Sequence, residues 1–412
     1  MYSFNHQDNV GVDPRSFRAP VTTKDQTAMV SRSGRIILQA DWNHVLKENG
    51  EKVWISFKTL NNPMIHGELR SDGVSSQGVP MVTGSESFNV QHVTKNTMTV
   101  KYKDGIGEYT RKFVAAQVEY SAIHNSRKSV TSLDVTPGGL GVSADKNLQG
   151  HLGDVYTCKF FPSGVVVLSG GADMQLKVWS AETGQCAANI TGHKAAILDT
   201  VIIERGRNVL SSSKDGTVKL WDVGQKSCIY TYEECGGNVN CCSIGIPNKN
   251  IDLGQPETIT SDREVQTEGK LLLIGTENGS IQGYGLQTRR KVFDLPCHGA
   301  VNCCCILSEN AAVCGTQDGY ITVLDLRNIR VPLKEWKETR SAILSFSTHN
   351  NGFFVSTGDG SCFFVNELCN TTTELTGADC DHIYKVVCDN THVYTGCRDG
   401  QVRKYSCSQA GL

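Results

Sequence analysis

Residues 192–222 read GHKAAILDTVIIERGRNVLSSSKDGTVKLWD, and residues 150–180 read GHLGDVYTCKFFPSGVVVLSGGADMQLKVWS. The two stretches align without a gap, because Gly-His opens both and a Trp lies near the end of both. Four residue types recur at an offset of 42 residues: His151, Ser169, Asp173 and Trp179 in the first, His193, Ser211, Asp215 and Trp221 in the second. A gapless duplication of this length indicates an internal repeat.

The repeat continues towards the C-terminus at its turn positions. After Asp173 and Asp215 the turn residues are Asn278, Asp318, Asp359 and Asp399, in steps of 42, 63, 40, 41 and 40 residues. The long step is explained by a polar insertion at about residues 247–268. Short apolar or alternating runs separated by Gly, Asp and Asn turns predict four strands in each unit.

This pattern resembles the WD-repeat family, whose units are blades of a β-propeller. Gly192-His193 and Trp221-Asp222 carry the resemblance without change. A further unit begins at about His124 and is shortened, since 6 residues separate its turn-like Asp145 from His151. We therefore expect an all-β propeller of seven blades at residues 121–412, whose first blade lacks its outer two strands.

The segment before the repeats has no such period. Residues 1–34 are polar and are expected to be a disordered tail, whereas residues 35–120 predict a small, separate α+β domain with a helix at 40–46. After Tyr405 only seven residues remain, too few for a fourth strand in the last blade. An open strand edge invites aggregation, so we expect Thr110–Tyr120 to close the ring as a strand beside Gln401–Ser406.

Composition excludes several classes of function. The chain has 412 residues, of which 39% are hydrophobic, and its formal charge is −2. The balanced charge argues against nucleic acid or an acidic membrane as partners. No apolar run is long enough for a membrane span and no secretory signal is evident, so we expect a cytoplasmic protein that also reaches the nucleus.

The 17 cysteines are expected to be reduced and mostly buried as small apolar side chains. No CxxC pair occurs, and Cys380, His382 and Cys388 lack the spacing of paired zinc ligands. We therefore expect neither a metal site nor a cofactor.

His193, Ser211 and Asp215 have the residue types of a nucleophilic triad. The same three types recur at His151, Ser169 and Asp173, and catalysis does not need a second copy. A hydrogen-bonded network that includes Trp179 or Trp221 explains both copies, since buried polar groups must be paired. The sequence therefore predicts structural tetrads and no catalytic residues.

Residues near the turn aspartates and the Gly-His loops are the candidates for binding another protein. The turn and the loop must lie at the same end of the ring if Asp and His are hydrogen-bonded. The predicted protein-binding residues are Asp154, Lys194, Lys214, Glu277, Gln317 and Arg398.

Several longer stretches resemble the animal proteasomal ATPase-associated factors, a family of WD-repeat proteins. The matching stretches are Phe160–Gly171, Ile197–Thr200, Arg205–Val209, Ser261–Val265 and Glu374–Asp381. The resemblance runs from about Ile36 to Ser406. It implies an assembly chaperone and negative regulator of the proteasome that binds ATPase subunits of the regulatory particle, as the similar fungal propeller chaperone does. We expect the free protein to be a monomer. Two other classes remain open: a substrate-recruiting propeller of a ubiquitin ligase or another WD-repeat scaffold, and an enzyme.

Overall fold

Among the described residues, eight strands and one short helix precede the repeats. The computed structural model describes residues 34–59, 62–103, 107–121, 129–144, 150–233, 235–256, 261–337, 341–350 and 352–411. The first strands are β1 (Arg35–Leu38), β2 (Lys52–Lys58), β3 (Ile65–Val74), β4 (Pro80–Gly84), β5 (Phe88–Val93), β6 (Thr97–Lys103), β7 (Glu108–Ala115) and β8 (Val118–Tyr120), with helix α1 (Trp42–Val45) after β1. Strands β1–β4 form one antiparallel sheet, and β5–β7 pair next to one another in a second sheet.

The repeats form seven blades. Blade 1 has β9 (Ser132–Val135) and β10 (Gly141–Ala144); blade 2 has β11 (Val155–Phe160), β12 (Val166–Gly171), β13 (Leu176–Ser180) and β14 (Cys186–Ile190); blade 3 has β15 (Ile197–Ile203), β16 (Asn208–Ser213), β17 (Val218–Asp222) and β18 (Ser227–Tyr232); blade 4 has β19 (Val239–Gly245), β20 (Leu271–Thr276), β21 (Ser280–Gly285) and β22 (Lys291–Pro296). Blade 5 has β23 (Val301–Ser308), β24 (Ala311–Thr316), β25 (Tyr320–Asp325) and β26 (Lys334–Lys337); blade 6 has β27 (Ile343–His349), β28 (Gly352–Thr357), β29 (Cys362–Asn366) and β30 (Thr371–Thr376); blade 7 has β31 (Ile383–Cys388), β32 (His392–Cys397) and β33 (Val402–Ser406), and helix α2 (Cys407–Ala410) follows. The expected seven-bladed propeller is confirmed.

The inner strands close the ring. The first strand of each blade contacts the first strand of the next, and β31 of blade 7 contacts β9 of blade 1. Side chains connect neighbouring inner strands: Asn240 Nδ2 donates to the Val301 carbonyl at 3.1 Å, and Asn302 Nδ2 donates to the Ile343 carbonyl at 3.1 Å. These bonds fix the spacing between blades at the centre of the ring.

Blade 1 is short, as the sequence predicted. Its sheet holds two strands among the described residues. His124 and Asp145, which marked the limits of this unit, lie outside the described residues. The insertion at residues 247–268 lies between β19 and β20, at the junction where the repeat step is long.

The N-terminal segment is joined to the ring, whereas the sequence predicted a separate α+β domain. Strand β7 pairs in parallel with β30, so β5–β7 extend the sheet of blade 6 to seven strands. Apart from the four-residue α1, its described regular structure is all β. The pairing gives the backbone groups at the outer edge of β30 hydrogen-bond partners. Without β7 this edge would be exposed and unpaired.

The closing strand of blade 7 is shorter than predicted. Tyr120 and Val118 pair with Val402 and Lys404, so β8 alone supplies the fourth strand. The prediction was wrong for Thr110 to Ala115, which belong to β7 and pair with β30 or β6. The chain therefore crosses from blade 6 to blade 7 between Ala115 and Val118.

Alternation along β7 explains why it is held at blade 6. Phe113 and Ala115 are buried in the core between the two N-terminal sheets, together with Trp42. Val114, on the other face, is buried with Phe354 of blade 6. A strand whose two faces fill two different cores cannot move to blade 7 without emptying both.

Substitution of Gln117 tests how much the crossing segment contributes to stability. The Gln117 backbone amide donates to the Lys404 carbonyl at 2.8 Å, and the Gln117 side chain is exposed. Gln117→Pro removes the donor and is expected to lower the free energy of unfolding by about 1 kcal/mol. Gln117→Ala keeps the N–H and should stay within about 0.5 kcal/mol of wild type. Urea unfolding followed by Trp fluorescence measures both, and equal stability of the two variants would contradict the assignment.

Candidate protein-binding face

One backbone hydrogen bond recurs at the same end of six blades. The turn between the second and third strands donates an N–H to the loop that precedes the first strand. In blade 3, for example, Lys214 N donates to the Ala196 carbonyl at 2.9 Å. The other donors are Ala172, Glu277, Gln317, Gly358 and Arg398. We call this end of the ring, formed by these turns and loops, the upper face.

All six predicted binding residues lie on the upper face. Lys214, Glu277, Gln317 and Arg398 are the donors in four blades, and Asp154 is the carbonyl acceptor in blade 2. Lys194 lies beside Lys214, because the Lys194 amide donates to the neighbouring Asp215 at 2.9 Å. Asp154 is half-buried, whereas the other five are exposed. The structure thus places them at one end of the ring, in five of the seven blades.

Two exposed apolar residues of the upper face were missed by the sequence analysis. Leu152 is 89% exposed and Met174 is 41% exposed, and both adjoin Asp173. Leu152 occupies the repeat position of Lys194, so aligning the two units could have singled it out. Met174 follows the turn Asp at a φ of 64°, where the next blade has Gly216 at 80°. A non-glycine residue pays a steric cost in this left-handed region.

The tetrads have the predicted geometry. In blade 3, His193 Nδ1 lies 2.7 Å from Asp215, and Ser211 Oγ lies 2.7 Å from His193 Nε2. Trp221 Nε1 donates to the same Ser211 Oγ at 2.8 Å. Blade 2 repeats the network, and its members are His151, Ser169, Asp173 and Trp179, with distances of 2.7–2.9 Å.

Burial excludes these tetrads from nucleophilic chemistry. Ser211 is 0% exposed, and its oxygen already accepts from the Trp221 indole, so a substrate carbonyl has no path to it. Burial would raise the pKa of Asp215, but hydrogen bonds from His193 and Thr217 outweigh this effect and hold the pKa below its usual range. The ionised carboxylate therefore remains an acceptor for the His193 N–H and joins loop to turn.

Arginine replaces the histidine network in the last two blades. Arg35 of β1 lies 3.5 Å from Asp359 and 2.9 Å from Glu374. In blade 7, the buried Arg403 lies 2.5 Å from Asp399 and 3.0 Å from Glu119 of β8. Arg35 therefore joins β1 to the turn of blade 6, and Arg403 joins β8 to the turn of blade 7. No local sequence pattern indicates either contact.

Most cysteines are unreactive by position. All 17 are free, nine are buried, and Cys186 and Cys380 are exposed. Burial raises the pKa of Cys158 to about 12, which keeps the thiol protonated. Of the three residues considered for zinc, only Cys388 lies in a group of possible ligands, with His349 and Cys407. Among the described helices, none has the length and apolar character needed to cross a membrane.

The tetrad predicts losses of stability without a separate loss of binding. Trp221→Ala should cost about 3–5 kcal/mol and His193→Ala about 1–3 kcal/mol, because Ser211 and Asp215 lose a partner. Lys194→Ala is the control in the same loop and should change stability by less than about 0.5 kcal/mol. Thermal unfolding by circular dichroism measures all three. A tetrad variant with an unchanged melting temperature would contradict the structural role.

Comparison with known proteins agrees with this architecture. The WD domain, G-beta repeat model matches residues 142–180 and 184–222. The solved structure titled Structure of U3-55K superposes with a TM-score of 0.57 at 15% identity, covering 69% of this chain and 97% of that one, which shows the fold alone.

Curated relatives carry proteasome-related names. Proteasomal ATPase-associated factor 1 of Homo sapiens is 42% identical over 90% of this chain and 98% of its own length. The Gallus gallus protein of that name is 42% identical over 89% and 97%, respectively. The 26S proteasome regulatory subunit RPN14 of Saccharomyces cerevisiae is 28% identical over 63% of this chain and 64% of its own length. With the human protein matched over nearly its whole length, the chain belongs to the proteasomal ATPase-associated factor 1 family.

Proposed function

We propose that the chain binds ATPase subunits of the proteasome regulatory particle and acts as an assembly chaperone, without catalysis of its own. Family membership carries the proposal: the relative that shares 42% of its residues is named for its association with proteasomal ATPases. The second relative is named as a regulatory subunit of the 26S proteasome. A bound chaperone of this kind would hold an ATPase subunit during assembly and restrain its early docking onto the proteolytic core.

A rigid ring suits this role. Propellers present loops on a scaffold that does not rearrange, and specificity comes from the side chains on those loops. The tetrads of blades 2 and 3 fix the loops that carry Leu152, Lys194 and Lys214. These side chains therefore project from anchored backbone, which lowers the entropy cost of binding.

Blades 2 and 3 offer a compact combination of charge and apolar surface. Lys194 and Lys214 are exposed and lie in the two paired loops of a single blade. In blade 2, Leu152 lies in the corresponding loop and Met174 in the corresponding turn. We propose that the lysines attract an acidic segment of the ATPase subunit and that the apolar pair packs against it, because charges steer association and buried apolar contacts retain the partner.

Charge reversal tests the lysine pair. The double variant Lys194→Glu with Lys214→Glu should weaken binding to purified proteasomal ATPase subunits at least about tenfold, since like charges would now face the acidic segment. The matched control is Lys226→Glu with Lys249→Glu. These two exposed lysines lie in the β17–β18 turn and after β19, at the end of the ring opposite the upper face. Titration calorimetry or a pull-down with each subunit measures the effect. Equal binding by both double variants would remove the lysine pair from the site.

Met174 provides a test in which stability and binding change in opposite directions. Met174→Gly relieves left-handed strain of about 1–2 kcal/mol but adds the chain entropy of glycine, about 0.5–1 kcal/mol, so it should raise the free energy of unfolding by about 0.5–1 kcal/mol. The same change removes an apolar contact and should weaken binding several-fold. Met174→Ala keeps the strain, so it should weaken binding equally without stabilising the fold. If Met174→Gly binds as tightly as wild type, the apolar pair is not part of the site.

Localisation follows from this role. We propose that the chain resides in the cytoplasm and also reaches the nucleus, where its proposed ATPase partners would meet it. Fractionation of cells that express the tagged full chain would test this, and recovery mainly with membranes would contradict it.

A further inference from the structure

Three possible metal ligands meet at the end of the ring opposite the upper face. Cys388 Sγ lies 3.2 Å from His349 Nδ1 and 3.8 Å from Cys407 Sγ. The ligand atoms of all three residues lie within 4.8 Å of one another. Within the part of the chain that the structure describes, no other group of three or more His, Cys, Asp or Glu residues meets this criterion.

The topology brings these residues together from three separate places. His349 ends β27 of blade 6, Cys388 ends β31 of blade 7, and Cys407 begins α2 just after β33. First and third strands both run away from the upper face, so all three residues reach the opposite end. They are 39 and 19 residues apart in sequence, which is why no ligand motif reveals them.

The distances suit a tetrahedral zinc ion. Bond lengths of about 2.3 Å for Zn–S and about 2.0 Å for Zn–N place two sulfurs about 3.8 Å apart, and a sulfur and a nitrogen about 3.5 Å apart. Cys388 Sγ lies 3.8 Å from Cys407 Sγ and 3.2 Å from His349 Nδ1, and the third pair, His349 and Cys407, lies within 4.8 Å. Two thiolates and a neutral imidazole would also cancel the charge of Zn²⁺. Thiolate ligands favour this ion over Mg²⁺ or Ca²⁺.

Neighbouring groups already orient the ligands. The Cys407 amide donates to the Thr391 carbonyl at 3.0 Å. Asn350 Nδ2 lies 3.2 Å from His349 Nε2, the ring nitrogen that faces away from Cys388. Rotation of this amide would let its oxygen accept from Nε2–H, the arrangement in which metal-bound histidines are usually held.

Two other cysteine pairs provide an internal comparison. Cys297 and Cys314 have sulfurs 3.9 Å apart, and Cys241 and Cys304 have sulfurs 3.5 Å apart. Neither pair belongs to a group with a third ligand type among the described residues. Close sulfurs alone are therefore a general result of cysteine-rich packing, and His349 distinguishes the site at Cys388.

We propose that His349, Cys388 and Cys407 bind one Zn²⁺, with a water molecule or an exogenous ligand at the fourth position. On binding, each cysteine thiol releases its proton to solvent and forms a Zn–S bond. The ion would join blade 6, blade 7 and the C-terminal segment, the same three parts that the N-terminal strands join on the outer side. The proposal is independent of ATPase binding.

Metal content of the full chain tests the site. The protein is loaded with Zn²⁺, dialysed against a weak chelator and measured by inductively coupled plasma mass spectrometry. We expect about one zinc per wild-type chain and at most about a tenth of that in Cys388→Ser and His349→Gln. Cys297→Ser and Cys314→Ser are the matched controls and should keep the wild-type content. Circular dichroism confirms that each variant is folded before its metal is counted.

Absorption spectra of the cobalt-substituted wild-type protein test the site without any variant. Wild-type protein titrated with Co²⁺ should develop sulfur-to-cobalt charge-transfer absorption and the visible bands of tetrahedral cobalt, which saturate at one equivalent and are lost on adding Zn²⁺. Zinc content that is equal in the Cys388 and Cys297 variants would indicate an adventitious ion only and overturn the proposal. Absence of both zinc and the cobalt spectrum in wild type would do the same.

Discussion

The pairing of β8 with β33 is the constraint on which the propeller depends. Blade 7 contributes three strands of its own, and Val118–Tyr120 supply the fourth. Without β8 the outer edge of β33 would be unpaired, and the segment that leads into blade 1 would no longer be held to blade 7. At this point a strand that precedes the repeats lies beside the last strand of the repeats.

The placement of polar side chains in the ring reflects the need of buried polar groups for hydrogen-bond partners. At the inner strands, Asp134 accepts from the Phe160 amide at 2.7 Å, and Asp199 accepts from the Cys242 amide at 3.2 Å, across neighbouring blades. On the upper face, histidine pairs the turn aspartate in blades 2 and 3, and arginine does so in blades 6 and 7. Burial would raise the pKa of Asp359, but Arg35 and the neighbouring hydroxyls outweigh this effect and hold the pKa below its usual range. The same requirement is thus met by different residues in different blades.

The two ends of the ring have different chemistry. The upper face carries exposed lysines beside Leu152 and the strained Met174, a composition suited to a protein partner. The opposite end holds His349, Cys388 and Cys407, the proposed zinc ligands, between blades 6 and 7. The surface proposed for the protein partner and the proposed metal site therefore lie at opposite ends of the ring.

Local sequence determined the blades, the tetrads and the upper-face positions, because strand alternation, turn residues and a 42-residue offset are properties of neighbouring residues. Strand alternation also places Phe113 and Val114 on opposite faces of β7, in two different cores. Only the tertiary structure decided that β7 remains on blade 6 while β8 crosses to blade 7, that Arg35 pairs with Asp359 across 324 residues, and that His349 meets Cys388 and Cys407. These contacts join segments whose local patterns allow several partners. The arrangement that is chosen buries two cores and pairs the charges of Arg35 and Arg403.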